Sequence, residues 1–248
     1  HHLGAIEAAQ NGKHVLTEKA LDVSFEHMDA MIDACEKHDV KLAVTYQRRA
    51  ATDNQHVKQL LDQGALGRVF AFDLLATFYR DQAYYDSGTY RGGWEIDGGG
   101  PFMQQAAHNL DIVCWFFGLP EKVASLYGTF NHQVEVEDYG AALLKYADGK
   151  IGTVKAATAT WPGCPPKLTI YSDKGTVTLE NDAISQWDVN GVDNPVDKTE
   201  VHQHDGSTAS VADTAGHEAI IADFIQAVRQ DRPPLVPGTS ARLATDLA

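Results

Sequence analysis

Two stretches carry the residue types that do chemistry. Glu18-Lys19 closes a β-rich run, Lys13 to Glu18, and an amine at a strand end can meet negative charge that develops on an oxygen. Much later, Gly98-Gly99-Gly100-Pro101 leads into a helical pattern that closes at Gly118. Proline suits a first helical position and glycine an exit, so a helix is expected from Pro101. Met103, Ala106, Ala107, Leu110, Cys114 and Phe117 then share an apolar face. Gln104, His108 and Asp111, at i, i+4 and i+7, form a polar stripe on another. Such a stripe beside a glycine run can present an imidazole to a bound small molecule, because glycines let a ligand or a second backbone approach. The same spacing also fits a structural histidine satisfied by Asp111.

The elements around these stretches divide into two kinds. His2 to Gln10 is a short helix stopped by Asn11-Gly12. Lys13 to Glu18 is a strand, Ser24 caps a helix from Phe25 to about His38 with Met28, Met31, Ile32 and Cys35 inward, and Val40 to Tyr46 is a buried parallel strand. This alternation is that of a doubly wound α/β sheet, whose ligands sit at the carboxyl ends of strands. Lys19 stands at one such end, and Tyr46, Arg48 and Arg49 at another. After residue 50 come a helix (53–62), a long strand (69–79), an aromatic loop (84–90) and the glycine-led helix. Six β-rich runs follow (123–130, 139–146, 152–160, 168–171, 176–179 and 183–189). Asp148-Gly149 and Lys174-Gly175 read as hairpin turns, which makes the sheet mostly antiparallel, open, and covered by helices on one face. Residues 190–215 read as a polar, irregular loop. A last helix from His217 to Arg229 places Ile220, Ile221, Phe224 and Val228 inward, ahead of Pro233-Pro234. The predicted division is therefore 1–50, the C-terminal part of a dinucleotide-binding domain, and 51–248, an α+β domain for substrate binding and oligomerisation.

Composition narrows the partners. The chain has 248 residues, 44% of them hydrophobic and 22% charged, within the range of a soluble globular protein. A formal charge of −14 disfavours nucleic acid and anionic membranes. Cys35, Cys114 and Cys164 have no paired spacing, and two lie in apolar helical patterns, which suits packing in a reducing compartment. Despite eleven histidines, no metal-ligand spacing is seen; His202 and His204 fall in the polar loop, and no metal site is expected.

Taken together, the chemistry-bearing stretches resemble the Gfo/Idh/MocA family of nicotinamide-dependent oxidoreductases. Gly12-Lys13-His14-Val15-Leu16-Thr17-Glu18-Lys19-Ala20 is similar to the family's Gly-Lys-His-Val-x-x-Glu-Lys-Pro. Gly98-Gly99-Gly100 followed by His108-Asn109-Leu110-Asp111 is similar to its Gly-Gly-Gly and His-x-x-Asp. Smaller echoes are Gly64-Ala65-Leu66-Gly67, Glu137-Asp138 and Asp148-Gly149. The resemblance covers nearly the whole chain. It implies a Rossmann-type sheet followed by the open sheet, NAD or NADP as cofactor, and a sugar, sugar derivative or cyclic polyol oxidised at a secondary alcohol. By the same resemblance, Lys19 lies beside the nicotinamide and stabilises alkoxide, and His108 is the general base. Glu18, Lys19 and Arg48 are expected to contact cofactor, with a solvated strand end the alternative for Arg48, and Lys19, Trp94, Gln104 and His108 are expected to contact substrate.

Two departures stand out. Gln104 replaces an Asp or Asn, so a two-residue proton relay is not expected, and Ala20 replaces the proline that helps set an unusual turn. An NAD-dependent glycoside hydrolase of the same family and a non-catalytic binding or assembly module are the alternatives. Trp94 either stacks on a sugar or packs in the core, while Trp161 and Trp187 are expected in the core or between subunits. His1 falls where the family's Thr-Pro-Asn-x-x-His segment ends. The chain is thus read as a fragment cut at both ends, lacking the Gly-x-Gly-x-x-Gly turn that seats pyrophosphate, and expected to bind cofactor poorly. A homodimer or homotetramer through the open sheet face is expected, in the cytoplasm.

Overall fold

The computed structural model describes residues 1–196 and 214–248. His202, His204 and most of the expected 190–215 loop lie outside the described residues.

The first unit is a parallel pair of strands flanked by helices. Helix α1 (His2–Gln10) ends at Asn11, and Gly12 takes φ +66°, a region open to glycine without penalty. Strand β1 (Val15–Thr17) leads through a loop to α2 (Phe25–Lys37), whose cap is Ser24 accepting from the His27 amide. Strand β2 (Leu42–Val44), buried throughout, pairs parallel with β1. Met28, Met31 and Cys35 face this pair, as the periodicity predicts. The same core takes Ala107, Ile220, Val236, Ala241 and Ala244 from later segments. The small sheet is therefore packed by helices that follow it by more than sixty residues.

A 3₁₀ turn (Gln47–Ala50) and α3 (Thr52–Asp62) join this unit to the second sheet. Its strands are β3 (Val69–Thr77), β4 (Lys122–Gly128), β5 (Tyr139–Lys145), β6 (Ile151–Ala157), β7 (Lys167–Ser172), β8 (Gly175–Glu180) and β9 (Ala183–Val189). They lie in the order β4-β5-β6-β3-β7-β8-β9. Every pairing is antiparallel except β3 with β6. Alternation directs Phe72, Leu74, Leu144, Val154, Leu168 and Ile170 to one face, where helix α5 (Ala107–Phe117) covers them with Leu110, Val113 and Phe116. On the other face Leu126, Leu143 and Ile151 are exposed, Leu126 at 84%. Beside this apolar patch Asp73 accepts from Thr153 and Tyr171. Helix α6 (Ala215–Arg229) and α7 (Gly238–Leu247) complete the chain. Among the described residues no helix is long and apolar enough to cross a membrane.

Three local expectations are corrected. The glycine-led helix begins at Ala107, not Pro101; residues 101–105 are turns, closed by Gln104 N–H to Gly100 O and Ala106 N–H to Pro101 O. Phe102 there packs so tightly on Gly140 that a Cβ on that glycine would lie 2.4 Å from its ring, a contact a continuous helix would not aim. Tyr84 and Tyr85 lie not in a loop but in a one-turn helix, α4 (Gln82–Asp86), capped by Asp81, whose carboxylate accepts from the Tyr84 amide. In α6, Ile220 and Ala227 form the inner line while Ile221 is exposed. Trp187, half-buried, packs against the sheet core as expected and donates to Val192 O, while Trp161 is 75% exposed with its edge on Tyr79.

Candidate active site

The carboxyl ends of β1 and β2 form one wall. Thr45 donates to Thr17 O through its amide and to Glu18 Oε2 through its hydroxyl at 2.8 Å. Glu18 thereby ties the two strand ends together and fixes the backbone from which Lys19 projects. The Lys19–Ala20 peptide is cis.

The turns at residues 98–105 form the facing wall. Gly98 and Gly99 take φ +73° and +157°. A Cβ at Gly98 would lie 2.5 Å from Val23 Cγ1, and one at Gly100 would lie 2.0 Å from the Glu137 carbonyl oxygen. The close approach the glycines permit is therefore to the protein itself. Gly100 N–H also donates to Glu137 Oε2 at 3.1 Å, and burial raises that carboxyl above its usual range. Trp94, half-exposed, stands near Gly99 on the same loop.

Across this cleft Lys19 Nζ donates to Gln104 O at 3.2 Å and lies 3.5 Å from Gln104 Oε1, a contact spanning 85 residues of sequence. Gln104 Nε2 in turn donates to Asp97 O. Burial lowers the lysine's pKa, against the opposing pull of Glu18 and Asp97. His108 sits in the first turn of α5, with Tyr46 edge-on to its ring at 5.6 Å. Its Nδ1 is buried without a partner. Burial, then the charges of Arg48, Lys19 and His217, hold the imidazole well below its ordinary pKa, so the ring is neutral near pH 7.

Asp111 does not orient His108. Fully buried, it accepts from Arg49 Nε at 2.8 Å and Nη2 at 2.6 Å, while Arg49 Nη1 donates to Ser240. Burial raises the Asp111 carboxyl to about 6 against the guanidinium's pull. This pair joins the 3₁₀ turn, α5 and α7 behind the histidine. Arg48, expected on cofactor, donates to Asp182 Oδ2 at 2.8 Å in the turn between β8 and β9, with Asn54 on the other carboxylate oxygen.

Lys19 thus meets Gln104 directly and, with Arg48, is near enough for its charge to act on the His108 imidazole, while Trp94 stands on the glycine wall. Glu18 and Arg48 have their charged groups occupied by protein partners. Sequence reasoning missed Asp97, Glu137, Asp182 and His217. Of these only Glu137 carried a signal, in Glu137-Asp138, and its partner lies 37 residues away.

Residues 54–178 match the GFO/IDH/MocA C-terminal domain. Over 98% of this chain and 70% of that one, the fold superposes on the WlbA dehydrogenase from Bordetella pertussis, solved in complex with NADH and UDP-GlcNAcA, with a TM-score of 0.82 and 32% identity. A myo-inositol 2-dehydrogenase from Thermotoga maritima is 23% identical over 71% of this chain and 52% of its own length. Oxidoreductase P35 from Formosa agariphila is 28% identical over 48% of this chain and 38% of its own. The chain spans about half, or less, of the length of these curated relatives. The motif spacing, the two sheets and these likenesses agree: the chain belongs to the GFO/IDH/MocA family.

Proposed function

We propose that this chain carries the substrate side of an NAD(P)-dependent oxidoreductase that acts on a secondary alcohol of a sugar, sugar derivative or cyclic polyol. The observation that carries the reading is the meeting of Lys19 and the Gln104–His108 segment across one cleft, at the carboxyl ends of parallel strands. The relative from Bordetella pertussis, solved with NADH and UDP-GlcNAcA, supports both the cofactor class and a sugar substrate.

The donor set fits a nicotinamide cofactor. Among the described residues Lys19 Nζ is half-buried with only amide oxygens of Gln104 as hydrogen-bond partners, and His108, whose ring Lys19 influences, has a buried Nδ1 without a partner. Lys19 and the Glu18 backbone would border the nicotinamide, which when bound supplies a hydride acceptor. The chain's own residues handle the hydroxyl. Lys19 donates a hydrogen bond to the substrate oxygen and stabilises its developing negative charge. His108, kept neutral by burial and by nearby cations, accepts the hydroxyl proton. Gln104, an amide, holds a hydroxyl and the lysine but moves no proton. We also place a homodimer contact on the exposed Leu126, Leu143 and Ile151 face.

The test is turnover of the complete protein with NAD⁺ or NADP⁺ on a panel of nucleotide-sugar uronates, inositols and aldoses. Lys19→Met is expected to lose about 10²–10³ in kcat, and His108→Gln about 10²–10⁴. A Lys19→Met protein with undiminished kcat on its best substrate would defeat the assignment. Release of aglycone from aryl glycosides, without polyol oxidation, would point instead to a hydrolase.

A further inference from the structure

Close to Lys19 in the chain, two imidazoles and a carboxylate converge from two helices and the loop between them. His2 comes from the first turn of α1, Asp22 from the loop after β1, and His27 from the first turn of α2. His2 Nδ1 lies 3.3 Å from Asp22 Oδ2, and His27 Nδ1 lies 3.2 Å from Asp22 Oδ1. The rings stack at 3.6 Å between centroids, 17° from parallel, and one donor atom of each residue lies within 4.8 Å of the others. Asp22 is buried and fixed, accepting from the amides of Val23 at 2.9 Å and Ser24 at 3.2 Å. The histidines keep a solvent-facing side.

We propose that His2, Asp22 and His27 form a binding site for a divalent transition metal of the zinc class, with water as the fourth ligand. Zinc binds imidazole nitrogen and carboxylate oxygen at about 2.0–2.2 Å. In a tetrahedron of those bond lengths neighbouring donors stand roughly 3.3–3.6 Å apart. The nitrogen–oxygen separations, 3.3 Å to Asp22 Oδ2 and 3.2 Å to Asp22 Oδ1, are close to that edge but fall on the two different oxygens, so one histidine must shift for both to share a single carboxylate oxygen. Two nitrogens with one carboxylate oxygen suit zinc, cobalt or nickel, whereas magnesium and calcium take oxygen shells. The near-parallel rings send their Nδ1 lone pairs side by side, so binding must turn each ring about its Cβ–Cγ bond. Their partial exposure leaves room for that rotation. Without metal, the same contacts are simple hydrogen bonds from imidazole to carboxylate.

The position gives the site a consequence. Val23, next to Asp22, is the side chain that fills the space over Gly98. An ion here would tie α1 and α2 to the loop that carries Lys19 on one side and meets the glycine wall on the other. Binding to the folded chain alone then raises its thermal stability.

The experiment titrates the chain with Co²⁺, followed by its visible d–d absorption, then displaces it with Zn²⁺, with Mg²⁺ as control. One equivalent with tetrahedral band intensity is expected, together with a thermal midpoint raised by Zn²⁺ but not by Mg²⁺. Loss of an outer-shell partner alone costs about ten-fold or more in metal affinity. His27→Gln and His2→Gln, each losing a direct ligand, should therefore weaken binding at least that much. Both should keep the parent's metal-free circular dichroism. Absence of saturable binding, or binding that both variants retain, overturns the proposal; the latter would place the ion on other histidines.

Discussion

Replacing Gly100 with alanine asks whether the glycine run serves a ligand or the fold. Gly100 has no positive φ, so any cost is steric rather than conformational. A Cβ there would sit 2.0 Å from the Glu137 carbonyl oxygen and 2.7 and 2.8 Å from its Cδ and Oε1. Reaching ordinary contact requires a shift of more than 1 Å, roughly the distance that separates overlap from contact in a packed interior. Overpacking of this kind costs about 1–3 kcal/mol. The shift also breaks the 3.1 Å bond from Gly100 N–H to Glu137 Oε2, and an unsatisfied buried acceptor adds about 1–3 kcal/mol. Together they come to roughly 2–6 kcal/mol, which in a chain of this length lowers the thermal midpoint by about 4–24 °C. Urea unfolding by circular dichroism measures it. Glu137→Ala in the same background removes the side-chain contacts but leaves the main-chain oxygen, so it should not rescue. Because Gln104 N–H bonds to Gly100 O, turnover should fall as well. A Gly100→Ala protein within about 1 kcal/mol of the parent would refute the packing argument.

His108, whose folded-state pKa lies below its unfolded one, costs the fold nothing above about pH 6.5 and destabilises it as pH falls through that value, because only the unfolded chain then takes up the proton. The parent's urea midpoint should therefore drop more steeply from neutral to mildly acid pH than that of His108→Gln, and parallel profiles would contradict this. In a ring titration by NMR, Arg48→Met should move the His108 midpoint upward. Asp111→Leu strands the Arg49 guanidinium in a site where the pair is 1% and 0% exposed, and should cost about 3–5 kcal/mol. Arg49→Met added to it should recover much of that loss, whereas additive costs would show that the pair is not coupled. Leu126→Lys should shift sedimentation toward monomer without changing the thermal midpoint of the monomer; an unchanged oligomeric state would remove the sheet face from the interface.

The sheet was legible because its signals are local. Each of the six downstream β-runs overlaps an observed strand, and the Lys174-Gly175 turn joins β7 to β8 with Gly175 at φ +145°. Ser24 and Gly118 likewise sat where a cap and an exit were read. The helix start was misread by six residues because apolar period and a leading proline favour helix from 101, while the winning contacts, Phe102 on Gly140 and Gly100 on Glu137, come from the β-sheet region. The one-turn α4 was hidden by its aromatic composition, although Asp81 three residues before Tyr84 is a cap signal. Within the site, Lys19, Gln104 and His108 were found through motif order. The Asp111 partner was not, since Arg49 is 62 residues away and spacing on one helix favours His108.

These misses fall where the chain departs from regular structure, and the departures share a purpose. Continuing α5 back to Pro101 would place Gln104 on a helical face with His108. The turns instead free the Gln104 carbonyl, which no helix bond consumes, to meet Lys19 Nζ. With Asp111 committed to Arg49, the ring of His108 is left with Tyr46 at its edge and no carboxylate to hold its proton. A carboxylate on His108 would raise its basicity and favour imidazolium; the cations Arg48 and Lys19 do the reverse. The proposed base, which must start neutral, needs that arrangement, and a local helical pairing would have removed it. Restoring a carboxylate beside the ring, as in Gln104→Glu, should therefore raise the His108 pKa and move the acid limb of kcat/KM upward, and an unmoved limb would show that His108 is not the group that titrates.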